Sequence, residues 1–208
     1  MAVNAQVVYF NDFATPEQRE GLTIINANGD YYGSDANTWQ HNYQDGKDCM
    51  HNRWTQRGDG NCDDWLITEG IELDPAYIYK FSMQINGSWD NQTLTVELGT
   101  APTAEAMTQN VMPAFTFNIG SWQGVESEEF CVAEAGTYYL GIHDISDEYC
   151  YNTFVTDVQL EIVGQNSTVG ISTVGAAAAG KTFSLDGRQV RAAQSGLYIQ
   201  NGQKIMVK

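Results

Sequence analysis

Tyr77-Ile-Tyr-Lys-Phe-Ser-Met-Gln-Ile85 alternates without a break. Tyr77, Tyr79, Phe81, Met83 and Ile85 fall on one side of an extended chain, with Lys80, Ser82 and Gln84 on the other. That period belongs to a strand with one buried face. Asn86-Gly87 and Asn91 follow directly and supply turn chemistry, so a reversal is expected there. Similar β-type runs occur at Gln6–Phe10, Leu22–Ile25, Trp65–Thr68, Thr93–Leu98, Ala114–Ile119, Tyr138–His143 and Phe154–Val163. Short strands separated by turn signals predict an all-β protein, a β-sandwich of the jelly-roll kind. Helix is scarce. Thr15-Pro16-Glu17-Gln18 carries an N-cap, a proline at the first helical position and a glutamine three residues after the cap, which predicts one short helix. A second is expected near Thr103–Gln109.

The composition agrees. Of 208 residues, 42% are hydrophobic and only 17% charged, enough for a real core and low for a helical cytosolic protein. No apolar run approaches the roughly 20 residues that cross a bilayer, so no transmembrane helix is expected. The net charge of −16 opposes nucleic-acid binding. The charge is also segregated. Residues 1–167 carry 25 acidic and 5 basic side chains, a net of −20, whereas residues 168–208 carry 5 basic and 1 acidic, a net of +4. Two modules are implied. Residues 164–180 are small, polar and flexible in composition, as a linker would be. After them, Asp186-Gly187 and Asn201-Gly202 each sit between apolar alternations, which predicts a small β-hairpin module over 181–208.

Four cysteines, Cys49, Cys62, Cys131 and Cys150, form no CxxC pair, which argues against zinc and against a thioredoxin-like site. An even number with close neighbours suggests two local disulfides, Cys49 with Cys62 and Cys131 with Cys150, in an oxidising compartment. Three connectivities are open, and four reduced, buried thiols are the alternative. Met1–Gln6 has no basic segment leading into an apolar stretch, so no signal peptide is expected. If the protein is exported, Met1 begins an engineered, mature-like chain.

Four ordered stretches carry a resemblance. Asp63-Asp64-Trp65-Leu66-Ile67-Thr68 with Gly70-Ile71-Glu72-Leu73, then Leu98-Gly99-Thr100-Ala101-Pro102-Thr103, then Tyr138-Tyr139-Leu140-Gly141-Ile142-His143, and last Phe154-Val155-Thr156-Asp157-Val158 resemble the cleaved-adhesin or choice-of-anchor J type of jelly-roll domain. Such domains occur on secreted and surface proteins of Bacteroidetes, and the resemblance spans about 7–163 of a first domain expected over 1–163. Phe183-Ser-Leu-Asp-Gly-Arg-Gln-Val190, Gly196-Leu-Tyr-Ile199 and Asn201-Gly-Gln-Lys-Ile-Met-Val-Lys208 resemble the C-terminal sorting domain of type IX secretion, although the lead into Asp186-Gly187 is shorter than usual. The resemblance implies export and a secreted or outer-membrane surface location.

No catalytic constellation emerges. The histidines His41, His51 and His143 come with no GxSxG, HExxH or phosphate-cradling glycine loop. Asp63/Asp64 and Glu128/Glu129 are adjacent, so on a strand their side chains point to opposite faces. No enzyme is expected. Calcium, which takes six to eight oxygens, is the better chemical candidate. Asp12 follows the first strand and Asp157 lies on the last. Terminal strands often pair in jelly rolls, and the resemblance implies a structural calcium there. Asn26-Ala-Asn-Gly-Asp30, ending on Asp30, and Asp59-Gly-Asn-Cys-Asp63 offer alternating oxygen ligands, with a solvated acidic turn as the alternative.

Glycan binding is the third possibility, because sugars stack on exposed aromatic faces. Trp65 belongs to a core strand, and the resemblance makes Trp39 structural too. Trp54, Trp89 and Trp122 sit among polar or turn residues and are the candidate platform, with Tyr149 and Tyr151 available beside it. The reading is therefore a surface binding or adhesion protein for glycan or glycoprotein. The alternative is a non-catalytic structural spacer or assembly module. Oligomeric state is not legible.

Overall fold

The structure is a computed structural model that describes residues 5–166, 182–185, 188–190, 195–200 and 203–207. The chain divides into two units, Met1–Asn166 and Ser167–Lys208.

In the first unit the strands are β1 (Gln6–Asn11), β2 (Thr23–Asn26), β3 (Tyr31–Tyr32), β4 (Asp35–Ala36), β5 (Gln40–Gln44), β6 (Lys47–Asn52), β7 (Asp64–Ile67), β8 (Ile71–Leu73), β9 (Tyr77–Gly99), β10 (Met107–Glu126), β11 (Gly136–Asp144) and β12 (Thr153–Gln165). One helix, α1 (Pro16–Glu20), interrupts them, with the expected capping box: Gln18 N donates to Thr15 Oγ1 and Thr15 N donates to Gln18 Oε1.

The expected reversal after Ile85 does not occur. β9 runs for 23 residues and β10 for 20, paired antiparallel along most of their length. The first half of β9 pairs with β12, which also carries β6 and β1. Its second half pairs with β11, which also carries β7 and β8. The sheet therefore curls on itself into a sandwich, with β9 and β10 passing from one layer to the other. Asn86-Gly87 marks the corner rather than a hairpin. Asn86 is buried and donates to Asp45 Oδ2, while a Cβ at Gly87 would stand 3.0 Å from the Asn152 carbonyl oxygen. Pro113 sits in β10 where the register shifts between Met112 and Phe115, a place where its missing N–H costs no ladder bond. The other helix expectation is also corrected: Ala104–Ala106 is a single 3₁₀ turn, and strand begins at Met107.

The alternation read from the sequence forms the core. Tyr79, Phe81, Met83 and Ile85 are each at most 2% exposed and face Leu94, Val96, Leu98, Leu140 and Ile142 within one cluster. In β12, Val155 and Val158 both point inward, which strict alternation forbids. Asp157 resolves the conflict with a φ of 49°, a bulge that inserts one residue into the strand. β1 and β12 pair as expected of terminal strands, from Gln6 opposite Ile162 to Asn11 opposite Val158. β12 continues to Gln165, two residues past the expected end of the domain.

Gly99 lies at the end of β9, where a Cβ would meet the backbone oxygen and carbon of Ala106 at 2.5 and 2.8 Å. Neither atom can swing away as a side chain would. Gly99→Ala is expected to cost about 1–3 kcal/mol by overpacking, read as a lowered urea midpoint. An unchanged midpoint would contradict this close approach.

The second unit is a four-stranded antiparallel sheet in the order β14 (Gln189–Val190), β13 (Thr182–Ser184), β15 (Gly196–Gln200), β16 (Gln203–Val207). The two β-patterns of the tail thus join edge to edge. The turns Asp186-Gly187 and Asn201-Gly202, and the linker residues 167–180, lie outside the described residues.

Candidate binding site

Five connections meet at the corner end of the sandwich: the β2–β3 loop, the β3–β4 hairpin, the β6–β7 loop, the β9 corner and the β11–β12 loop. Polar residues from the sequence's turn-rich stretches tie them together. Asn28 Nδ2 donates to the Asn61 carbonyl at 3.0 Å, Gln56 Nε2 to the Tyr31 carbonyl at 2.9 Å, and Tyr149 N to the Thr55 carbonyl at 3.2 Å. Gly58 N donates to Glu148 Oε2 at 2.8 Å, and Asn61 Nδ2 to Asp147 Oδ1 at 3.1 Å.

Aromatic rings stand on this base. Trp54 and Tyr151 are stacked at 5.2 Å with planes 10° apart. Tyr32 meets Trp54 edge-on at 5.5 Å, and Trp89 leans on Tyr151 at 6.1 Å. The Arg53 guanidinium lies over the Tyr32 ring at 5.0 Å, a cation–π contact. Trp89 is 83% exposed and Tyr149 66%. Both have left-handed backbone, with φ of 84° and 64°. That conformation costs a bulky residue about 1–3 kcal/mol, so the surrounding loops must hold it. Beside the rings, Tyr32, Gly33, Trp54, Gln56, Arg57 and Tyr149 line a recess of about 410 Å³. A second recess of about 410 Å³ shares Gly33 and Gln56 and is edged by Asn28, Asp30, Tyr31 and Asp59. The surface therefore offers ring faces with amide, hydroxyl and charged groups beside them.

Of the three expected platform tryptophans, Trp54 and Trp89 come together, bridged by Tyr151. Trp122 does not. It is half-buried on β10, donates from Nε1 to the Gln44 carbonyl at 3.1 Å, and lies under Lys47 Nζ at 6.0 Å. Tyr32 was not anticipated. Its signal was the pair Tyr31-Tyr32 held between two Gly/Asp turn clusters.

Asp12 and Asp157 do come together, in a recess of about 210 Å³ that Asp48 and Lys47 also line. A calcium ion fits poorly there. The Lys47 ammonium already pairs with Asp157, and Asp12 Oδ1 accepts from Ala14 N at 3.2 Å. Asp30 is not part of this recess. In its own loop, Asn26 Oδ1 and Asn28 Oδ1 are turned onto backbone N–H groups of Gly29 and Asp30.

Asp63 and Asp64 diverge as expected. Asp63 Oδ1 lies 2.7 Å from His143 Nε2, whose ring stacks on Trp65 at 3.8 Å. Asp64 points inward and is fully buried, as is Asp144. Burial, reinforced by each other and by Asp30, pushes the Asp64 carboxyl up to about 7. Burial likewise raises that of Asp144. His51, buried and stacked on Phe154, is pushed down to about 4, chiefly by burial and then by Arg53. His41 makes an exposed pair with Asp48.

All four cysteines are free, which corrects the expected bridges. Cys49 Sγ is directed to the Asn42 carbonyl and Cys62 Sγ to the Arg53 carbonyl. Cys131 and Cys150 flank opposite ends of β11, whose 9 residues span about 30 Å. A disulfide needs Cα atoms within about 7 Å. Burial raises the thiols of Cys49, Cys62 and Cys150, which keeps them protonated.

Known structures share this architecture. The K1 cleaved adhesin domain of Lys-gingipain from Porphyromonas gingivalis superposes with a TM-score of 0.56 at 15% identity, covering 78% of this chain and all (100%) of that one. The K3 domain does so at 0.55 and 14%, covering 74% and 98%. In fold, this chain is similar to the cleaved adhesin domains. The CBM22-1 xylan-binding domain of Paenibacillus barcinonensis Xyn10C is also similar, with a TM-score of 0.50 at 10% identity over 79% of this chain and 99% of that one. No protein-family model matches the sequence, and no curated protein does. The cleaved-adhesin likeness is therefore one of architecture. Among the described residues, no helix is long and apolar enough to cross a membrane.

Proposed function

We propose that the sandwich is a non-catalytic binding module of a secreted or surface-attached protein. Its corner loops hold a glycan or glycoprotein against the Tyr32–Trp54–Tyr151–Trp89 rings. The observation that carries this reading is the ring cluster itself, assembled from four separate connections and left open to solvent beside polar recesses. Pyranose rings present apolar C–H faces that such rings accept, and the neighbouring amides and carboxylates read hydroxyls. One structural neighbour is named a xylan-binding domain, which supports the class of ligand. The tail's resemblance to sorting domains supports export.

A glycan array probed with the full chain, in calcium and again in EDTA, tests the proposal. Hits that disappear on Trp54→Ala support it. No hit in either buffer moves the reading to a spacer or assembly module. Trp89→Gly separates stability from binding. Glycine relieves the left-handed strain, so the melting temperature should rise, by about 1 kcal/mol of stability, while retention of an array hit falls. A variant that is both stabler and equally retentive would exclude Trp89 from the surface.

A further inference from the structure

The first unit carries 25 acidic and 5 basic side chains, so a cation that stays unpaired there needs a reason. Three of the five are engaged. Lys47 pairs with Asp157, Lys80 Nζ lies 2.6 Å from Glu126 Oε1, and Arg19 donates to the Phe13 carbonyl. Among the described residues, the side chains of Arg53 and Arg57 have neither an ion pair nor a hydrogen bond. Both stand at the ring cluster: Arg53 over Tyr32, and Arg57 in the wall of the recess beside Trp54 and Tyr149.

The acids nearby are turned to neutral donors instead. Glu148 accepts from Gly58 N, Asp147 from Asn61 Nδ2, and Asp30 Oδ2 from Asn37 Nδ2 at 2.8 Å. The wall of the Arg57 recess contains no acidic residue, whereas its neighbour is edged by Asp30 and Asp59 and the Asp12–Asp157 recess by three aspartates. The backbone under Arg57 is fixed. Asp59 N donates to the Gln56 carbonyl at 3.0 Å, closing a turn with Arg57 and Gly58 at its central positions. The Gly58 φ of 95° is that of the third residue of a type II turn. Just before the turn, Thr55 is fully buried and its hydroxyl donates to the Gly60 carbonyl at 2.6 Å. An exposed guanidinium therefore stands on a preformed base.

A guanidinium presents paired N–H groups that match the two oxygens of a carboxylate. A hexuronate carries its carboxylate at the rim of a ring whose C–H face stacks on an indole. One such sugar can set its face on Trp54 and its carboxylate on Arg57 together. Resting on the glycan reading above, we propose that the platform takes an acidic glycan containing hexuronate. Arg57 selects the carboxylate, and Arg53 adds positive potential beside it. The neighbouring recess, with Asn28, Asp30 and Asp59, suits the hydroxyls of the adjoining sugar. The negative charge of the rest of the unit acts weakly on this contact, because exposed charges beyond about 8 Å are screened at physiological salt.

The test titrates the full chain, in EDTA, with short oligogalacturonates and with the same oligomers methyl-esterified, which keeps the ring faces and removes the charge. The acid form should bind at least about tenfold more tightly than the ester, as hydrogen bonds to a charged group imply. Arg57→Gln should remove that difference and leave the melting temperature unchanged. Arg57→Lys should restore only part of it, since an ammonium lacks the fork. Lys80→Gln, a cation removed from a different face, should change nothing. The proposal is overturned by no binding of the acid form, by an ester bound as tightly as the acid, or by an unaltered preference in Arg57→Gln. Neutral glycans held through Trp54 but indifferent to Arg57 would overturn it while leaving the ring platform standing. Binding indifferent to Trp54 as well would remove both.

Discussion

Trp54→Ala is expected to weaken retention of an array hit at least thirtyfold in a titration against that glycan. Trp54 is the ring on which the others depend: Tyr151 stacks on one side of it and Tyr32 meets it edge-on. Removing the indole takes away its own face and unseats two neighbours. Truncating a central aromatic of this kind typically costs 2 kcal/mol or more, which gives the fold-change. Trp122→Ala is the internal control. Its indole is bonded to the Gln44 carbonyl and lies outside the ring cluster, so retention should not change. Equal losses in the two variants, or none in Trp54→Ala, would place the ligand on a different face.

His51→Phe should steepen the rise in stability as pH falls from 7 to 4.5. Two buried groups oppose each other between pH 4 and 7. His51 is depressed from 6.5 to about 4 in the folded state, so the unfolded chain binds its proton first. The stability it contributes is complete above pH 6.5 and is lost as pH falls toward 4. Asp64 is raised from 3.8 to about 7, so the folded chain holds its proton longer. Its contribution is complete below pH 3.8 and is lost as pH rises through 7. Asp144 acts in the same direction as Asp64. The shifts correspond to about 3 kcal/mol for His51 and about 4 kcal/mol for Asp64, at 1.4 kcal/mol per pH unit. In EDTA, His51→Phe should therefore gain several kcal/mol between pH 7 and 4.5. Asp64→Asn with Asp144→Asn should reverse the slope and lose about 3 kcal/mol over the same interval. Urea melts at four or five pH values decide it. Parallel profiles for all three proteins would mean that these groups are not buried in the folded state.

Strand identity in the first unit was readable where one face is buried. The Tyr79–Ile85 alternation and the Thr15 cap depend on neighbours within a few residues, whereas the pairing of the terminal strands followed from the jelly-roll topology. What escaped was the continuity of β9. Asn86-Gly87 is turn chemistry locally, and only the packing of Asn152, Asp45 and Gln92 around it makes it a corner. The binding loops were half legible. Trp54, Trp89, Tyr149 and Tyr151 stood out as aromatics among polar residues. Trp122 has the same local context, yet the β5–β6 hairpin covers it, and nothing within ten residues announces that. The cysteine pairs failed for the same reason: closeness along the chain says nothing of the 9-residue strand that separates Cys131 from Cys150. The buried pair Asp64 and Asp144 had no signal at all, because its members come from two strands that meet only in the folded sheet.

The pairing of β1 with β12 has a mechanical side. Gln6 and Ile162 are neighbours at one end of the sandwich, while Thr153 and the rings occupy the other, about 30 Å away along β12. The chain thus leaves the first unit, at Asn166, from the end opposite the rings. A pull between the ring loops and Asn166 runs lengthwise down β12. It must slide that strand past the whole of its ladder with β9, from Phe154 opposite Asn86 to Gln165 opposite Tyr77, rather than peel bonds away singly. Tension between the ring loops and Asn166 therefore loads the β9–β12 ladder in shear, so its bonds share the load.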